Sequence, residues 1–193
     1  MAHQLIVITG ASGTGKTTVS TYLHTHYQVA RVITHTTRPM RAGETNGVDY
    51  YFETPTSFAQ NHYIEHVTYA GYSYGSSYEA LDRAFAQSNY ASIVLDTAGA
   101  ISYVQQLDPK PAVLFLTLEQ PHVLKQRLLN RGDEPAMITQ RLQSDEYRRD
   151  LTLPPALAGV ATVVTNDKWP EAKRAIDQFF QQLQVKQEAE QGR

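Results

Sequence analysis

Five short apolar runs punctuate the chain: Leu5-Ile6-Val7-Ile8-Thr9, then Val29 to Ile33, Ser92 to Leu95, Val113 to Leu118 and Val160 to Val164. The first is rich in β-branched residues and is stopped by Gly10. Unbroken apolar runs of this length predict strands buried on both faces, as in a parallel sheet. Between them the apolar spacing turns helical over Thr17 to His26, Glu79 to Gln87, Pro121 to Asn130 and Pro170 to Leu183. The last of these opens on a proline, a residue suited to the first helical turn. Alternating strands and helices predict a three-layer α/β fold around a five-stranded parallel sheet. The polar segment from Gln184 to Arg193 is expected to fray.

Two stretches break the alternation. Residues 34–77 hold six of the twelve tyrosines with several Gly and Pro and no long apolar run, and Arg127 to Arg149 hold five of the eleven arginines. Both read as insertions into a nucleotide-binding core.

Composition narrows the classes. The chain has 193 residues, 41% of them hydrophobic and 19% charged, which suits one folded domain. A net charge of −2 lacks the basic field that tight nucleic-acid or anionic-membrane binding uses. With no cysteine there is no disulfide, thiol nucleophile or Cys-ligated zinc, so a metal would be held by oxygen. No basic leader or long apolar segment appears near Met1, and a cytoplasmic location without membrane anchoring is expected. The seven histidines show no ligand spacing.

The sharpest motif is Gly10-Ala11-Ser12-Gly13-Thr14-Gly15-Lys16-Thr17, a complete G-x-x-x-x-G-K-S/T directly after a strand and before a helix. Its glycines let backbone N–H groups wrap phosphate oxygens, and the helix N-terminus adds partial positive charge. Lys16 is expected on the β and γ phosphates, the Thr17 hydroxyl on Mg²⁺, and the loop through Thr18 on the donor nucleotide.

Downstream, Thr34-His35-Thr36-Thr37-Arg38-Pro39-Met40-Arg41 carries two guanidinium groups three residues apart, a spacing suited to clamping one phosphate dianion. Tyr50 and Tyr74 add hydroxyl donors. Thr36-Thr37-Arg38, Arg41-Ala42-Gly43-Glu44, Asn46 to Phe52, Tyr63-Ile64-Glu65 and Tyr74 to Ser77 together resemble the GMP-binding segment of guanylate kinases. With the phosphate loop, Arg127 to Arg141 and Val163 to Asp167, the similarity runs through nearly the whole chain.

The resemblance implies a P-loop NTPase fold in one domain over 1–193. Its core is 1–33, 79–126 and 151–185, with a GMP-binding insertion over 34–78, a lid over 127–150 and a flexible tail over 186–193. It implies MgATP-dependent phosphorylation of GMP by a monomer or homodimer, with Arg38, Arg41, Tyr50 and Tyr74 on the GMP phosphate and Thr34, Glu65 and Ser76 on guanine. A carboxylate such as Glu65 matches guanine's adjacent N1–H and N2–H₂ donors and repels the N1 acceptor of adenine, and Ser76 is expected to donate to O6. Such a site rejects an analogue whose groups leave its own unpaired.

By the same resemblance, Arg131 and Arg141 swing over the phosphates, neutralise the transferring group and exclude water, and Asn166 lies beside adenine. Arg148 and Arg149 match no family residue and read as surface side chains. Asp96, closing a buried strand, is assigned to the metal side.

One departure stands out. Leu95-Asp96-Thr97-Ala98-Gly99-Ala100 is shortened, with Ala98 where guanylate kinases carry a second carboxylate. Two alternatives remain open at this point: a related kinase with a phosphorylated ribose acceptor, and a non-catalytic module of the same fold, against which Lys16 and Thr17 argue. A small-GTPase reading of Asp96 to Gly99 fails, since about 80 residues separate it from the phosphate loop and no N-K-x-D follows.

Overall fold

A computed structural model of the protein describes residues 3–41, 43–69, 71–119, 121–130 and 135–191. The amino-terminal part runs β1 (Gln4–Thr9), α1 (Lys16–Tyr27) and β2 (Ala30–Arg31). It is followed by β3 (His35–Thr36), β4 (Tyr51–Phe52), α2 (Pro55–Phe58), β5 (Tyr63–Tyr69), β6 (Tyr72–Ser77) and α3 (Tyr78–Phe85). Then come β7 (Tyr90–Val94), α4 (Thr97–Gln106), β8 (Ala112–Thr117), α5 (Pro121–Asn130), α6 (Pro135–Gln143) and α7 (Asp145–Asp150). A 3₁₀ turn at Pro155–Leu157, β9 (Ala161–Thr165) and α8 (Trp169–Gln191) complete the order.

Each of the five apolar runs contributes a strand to one sheet, ordered β2-β7-β1-β8-β9 and parallel throughout. Successive side chains of a strand point to opposite faces, and β1 uses both. Leu5 and Val7 enter one core with Ala80 and Ala84 of α3 and Ala100 and Tyr103 of α4. Ile6 and Ile8 enter the other with Val19 and Leu23 of α1 and Ala172, Ile176, Phe179 and Phe180 of α8. The spacing of those four on α8 is that of one helical face. Truncating a residue in such a core, Ile8 for example, costs about 2–5 kcal/mol.

Three elements differ from expectation. Helix α8 continues to Gln191, beyond the end at Leu183 and through the polar segment expected to fray, and Gln187 is still buried on it. Helix α4 was hidden in the shortened Asp96 to Ala100 segment. Asp96 is its N-cap, its Oδ1 accepting from Gly99 N at 2.7 Å, which satisfies a donor the first turn leaves open. Lastly, the tyrosine-rich stretch forms its own four-stranded sheet, β4-β3-β6-β5. Its strands are short or polar on one face, so no continuous apolar run announces them.

Candidate active site

The phosphate loop is shaped by contacts that leave no space for side chains. Gly10 has φ 126° and Gly15 φ 97°, in the left-handed region that glycine alone adopts without strain. A Cβ on Gly10 would collide with the Leu116 carbonyl of β8, and one on Gly15 with the Asn166 side-chain amide. The loop is therefore pressed against the ends of two neighbouring strands.

Asn166 is the buttress. Only 4% exposed, it donates from Nδ2 to Thr14 O at 2.7 Å, while its own N–H bonds Thr117 O at 2.9 Å. Arg127 Nη2 in turn holds the Asn166 carbonyl at 2.7 Å. Lys16 Nζ donates to Gly10 O at 2.5 Å and to Ala11 O at 3.0 Å, folding the lysine back along the loop it serves. Thr14 closes the turn through Oγ1 to Ala11 O at 2.8 Å.

Around this loop lies a cavity of about 450 Å³, bordered by Lys16, Thr17, Thr18, Arg127, Asn166 and Trp169. Asn166 thus borders the donor cavity while supporting the loop. Arg127 and Trp169 were not anticipated as part of the site. The one available signal was position, since the chain's single Trp follows Asn166 by three residues.

A second cavity, of about 470 Å³, is bordered by Thr34, Tyr50, Glu65, Tyr74, Asp96 and Arg149, among others. A smaller one of about 290 Å³ lies between the two and borders on Thr17, Asp49, Thr34 and Tyr50. Thr17 is shared with the donor cavity, and Thr34 and Tyr50 with the acceptor cavity. The three form one row from phosphate loop to tyrosine-rich sheet.

On the acceptor side the residues stand in carboxylate-paired sets. Arg38, 8% exposed, is gripped by both oxygens of Glu44, at 3.0 and 2.7 Å, with Glu44 Oε2 also accepting the Arg41 N–H at 2.7 Å. That bidentate pairing holds the Glu44 carboxyl below its ordinary pKa. The Arg38 guanidinium lies 5.7 Å from the Tyr50 ring centre, and Tyr50 meets Tyr74 edge-on at 6.3 Å. Arg38, Tyr50 and Tyr74 are brought together, and Arg41 is exposed beside them.

Glu65 and Ser76 face one another across the β5–β6 ladder, and Ser76 Oγ donates to Glu65 Oε1 at 2.8 Å. Ser76 is completely buried, so its hydroxyl proton orients the carboxylate. Burial pushes the Glu65 carboxyl up from its usual range, with the nearby Asp96 charge adding to the effect and the Ser76 hydrogen bond opposing it.

Behind this sheet, buried His35 bonds Glu53 through Nδ1 at 2.7 Å and Ser77 through Nε2 at 2.8 Å, while Ser77 Oγ caps α3 by accepting from Ala80 N. The row has the letters of a hydrolase triad. With Ser77 fully buried it has no route to a substrate and serves as a strut.

Of the two residues expected on the metal side, Asp96 borders the acceptor cavity and Thr17 borders the donor and central cavities. Asp96 Oδ2 pairs with Arg149 Nη2 at 2.7 Å. Arg149, read as an ordinary surface residue, is instead tied to the acceptor cavity from α7. Arg141 lies on α6 but its side chain is outside the described residues, as is all of Arg131. Among the described residues no cluster of three His, Cys, Asp or Glu could cage a metal, and no helix is long and apolar enough to cross a membrane.

Comparison with known proteins gives a single answer. A family model described as guanylate kinase matches residues 2–183. The guanylate kinase of a Thermus thermophilus strain is 36% identical over 152 residues, covering 76% of this chain and 69% of that protein. That of Synechococcus sp. JA-3-3Ab is 33% identical over 180 residues, covering 90% and 80%. The crystal structure of a guanylate kinase from Anaplasma phagocytophilum superposes with TM-score 0.59 over 96% of this chain and 86% of that one, at 19% identity, a likeness of fold.

Proposed function

The chain belongs to the guanylate kinase family, and we propose that it moves the γ-phosphoryl group of MgATP onto the phosphate of GMP, giving ADP and GDP, along the row of cavities between phosphate loop and tyrosine-rich sheet. That row carries the reading, because in-line transfer needs two nucleotides meeting phosphate to phosphate.

On the donor side, loop N–H groups and Lys16 take the phosphates, whose oxygens replace the Gly10 and Ala11 carbonyls as acceptors for the Lys16 amine. The exposed Thr17 hydroxyl, at the head of α1 and on the wall of both donor and central cavities, suits a Mg²⁺ that arrives with its nucleotide and keeps phosphate and water ligands. Bound there, the ion would neutralise charge on the β and γ phosphates.

On the acceptor side, Arg38, Arg41, Tyr50 and Tyr74 hold the GMP phosphate, and Glu65, oriented by Ser76, accepts N1–H and N2–H₂. The attacking phosphate oxygen is already ionised, so no general base is required. It bonds to the γ-phosphorus as the bridge to the β-phosphate breaks and ADP leaves. Residues 127–150 are assigned to a lid that brings Arg131 and Arg141 over the transferring group, and 34–78 to the GMP-binding insertion.

ADP release from MgATP, measured with GMP, AMP, IMP and ribose 1,5-bisphosphate as separate acceptors, tests the reading. Turnover with GMP and none with AMP is expected. Turnover with the ribose phosphate alone would overturn it.

A further inference from the structure

Three carboxylates, Glu65, Asp96 and Glu146, border the acceptor cavity, and Arg149 is the one Lys or Arg among its lining residues. The Arg149 guanidinium is fixed along one edge. Nε donates to Thr97 Oγ1 and Asp150 Oδ1, each at 3.0 Å, and Nη2 to Asp96 Oδ2 at 2.7 Å. Asp150 is buried and anchored by the Thr97 N–H at 3.2 Å and the Thr97 hydroxyl at 2.5 Å. These bonds occupy the Nε and Nη2 side of the planar fork. Nη1 donates to none of the described residues, on a side chain 37% exposed and on the cavity wall.

The acceptor purine has a complementary need. Glu65 answers the N1–H and N2–H₂ donors, but guanine also presents two acceptors, O6 and N7, on the adjoining Hoogsteen edge. Ser76, the expected donor to O6, is buried with its proton committed to Glu65. A planar fork with an open pair of N–H groups is the side chain best shaped for O6 and N7 together. Asp96 links the two halves of the edge, since it holds Arg149 and its charge is felt at Glu65.

We propose that Arg149 is a specificity-determining residue of the acceptor site, reading the O6–N7 edge of a 6-oxopurine nucleotide while Asp96, Thr97 and Asp150 hold its other edge. This rests on the assignment of the acceptor as GMP. It gives the shortened Asp96 to Gly99 segment a purpose: Asp96 there holds a cation from α7 on the acceptor wall, which adds a donor to the base. Adenine offers N7 but a 6-amino donor beside it, so the same fork disfavours AMP.

The test is a cycle between protein and substrate. GMP and 7-deaza-GMP, which replaces the N7 acceptor by C–H, are compared as acceptors for the wild type and for Arg149→Met. Wild type is expected to lose about tenfold or more in kcat/KM on the deaza analogue, whereas Arg149→Met loses about tenfold or more on GMP itself and shows no added penalty for the analogue. KM for ATP should move by less than about twofold in the variant. Equal deaza penalties in both proteins overturn the inference and leave the guanylate kinase activity standing. A wild type inert toward GMP overturns that activity and this inference with it. Should Arg149→Met fail to fold, Arg149→Lys keeps a charge for Asp96 without the planar fork, and the same loss of the deaza penalty is expected of it.

Discussion

On the proposed reading, the donor and acceptor sides solve the same problem, holding nucleotide phosphates, with different materials. The phosphate loop works with backbone: left-handed glycines, the start of α1, and the buried Asn166 amide that fixes the loop from behind. The acceptor side works with side chains, each set in place by a carboxylate or hydroxyl: Arg38 by Glu44, Glu65 by Ser76, Arg149 by Asp96 and Asp150. Backbone recognition is contiguous in sequence and indifferent to the base. Side-chain recognition, as proposed, draws on the loop after β3, on β5, β6 and α7 and on the loop after β7, and there it carries the specificity.

If that division holds, removing the one charged side chain of the donor loop gives the largest loss. Lys16→Met should cut turnover by about 10³-fold, with the melting temperature near that of the wild type, since Lys16 is only partly buried and a Met keeps the apolar stem of the side chain. A circular-dichroism melt beside the coupled assay checks both. Wild-type turnover would place the transfer chemistry elsewhere.

On the acceptor side a substitution should alter selectivity rather than chemistry. Glu65→Gln loses charge-assisted acceptance from two guanine donors, and kcat/KM for GMP should fall about a hundredfold. KM for ATP should stay put and discrimination against AMP should narrow, because a Gln amide can donate to adenine N1. A parallel rise in the KM values of both nucleotides would show that Glu65 organises the whole cleft and would blur the division.

That contrast also explains what could be read in advance. The five buried strands and the phosphate loop were legible because each is a local pattern, an apolar run or a fixed spacing. Helix α4 was not: its start is the Asp96 cap on Gly99, letters that looked like a nucleotide motif. The second sheet was not, because β3 and β4 are two residues each and β5 and β6 present polar side chains to solvent. Arg149 was invisible for a third reason. Its partners Asp96 and Thr97 lie more than fifty positions upstream, and only the packing of α7 against the start of α4 brings them together.

Asn166→Ala tests the donor loop with a more modest effect. Thr14 O loses a buried partner and the void lies against Gly15, so about 1–3 kcal/mol of stability should be lost, with a rise in KM for ATP and little change for GMP.

The smallest effect is one of pH, and it separates the two sides without any substitution. The guanine recognition proposed for Glu65 requires the carboxylate, while burial holds the Glu65 proton more tightly than in a free side chain. As pH falls from neutrality, KM for GMP should begin to rise at a higher pH than an ordinary glutamate would give, while KM for ATP, set by backbone N–H groups and Lys16, stays flat over that window. The stability term has the opposite sign. A raised folded-state pKa means that the native protein binds the proton more readily than the unfolded chain, so Glu65 favours folding below its unfolded pKa and loses that contribution as pH rises through its folded one. Acidification in that window therefore weakens GMP binding while easing the cost of burying Glu65. In Glu65→Gln the GMP dependence should shrink to what the second ionisation of the GMP phosphate, at about pH 6, gives by itself, whereas a slope as large as that of the wild type would take the titration away from Glu65.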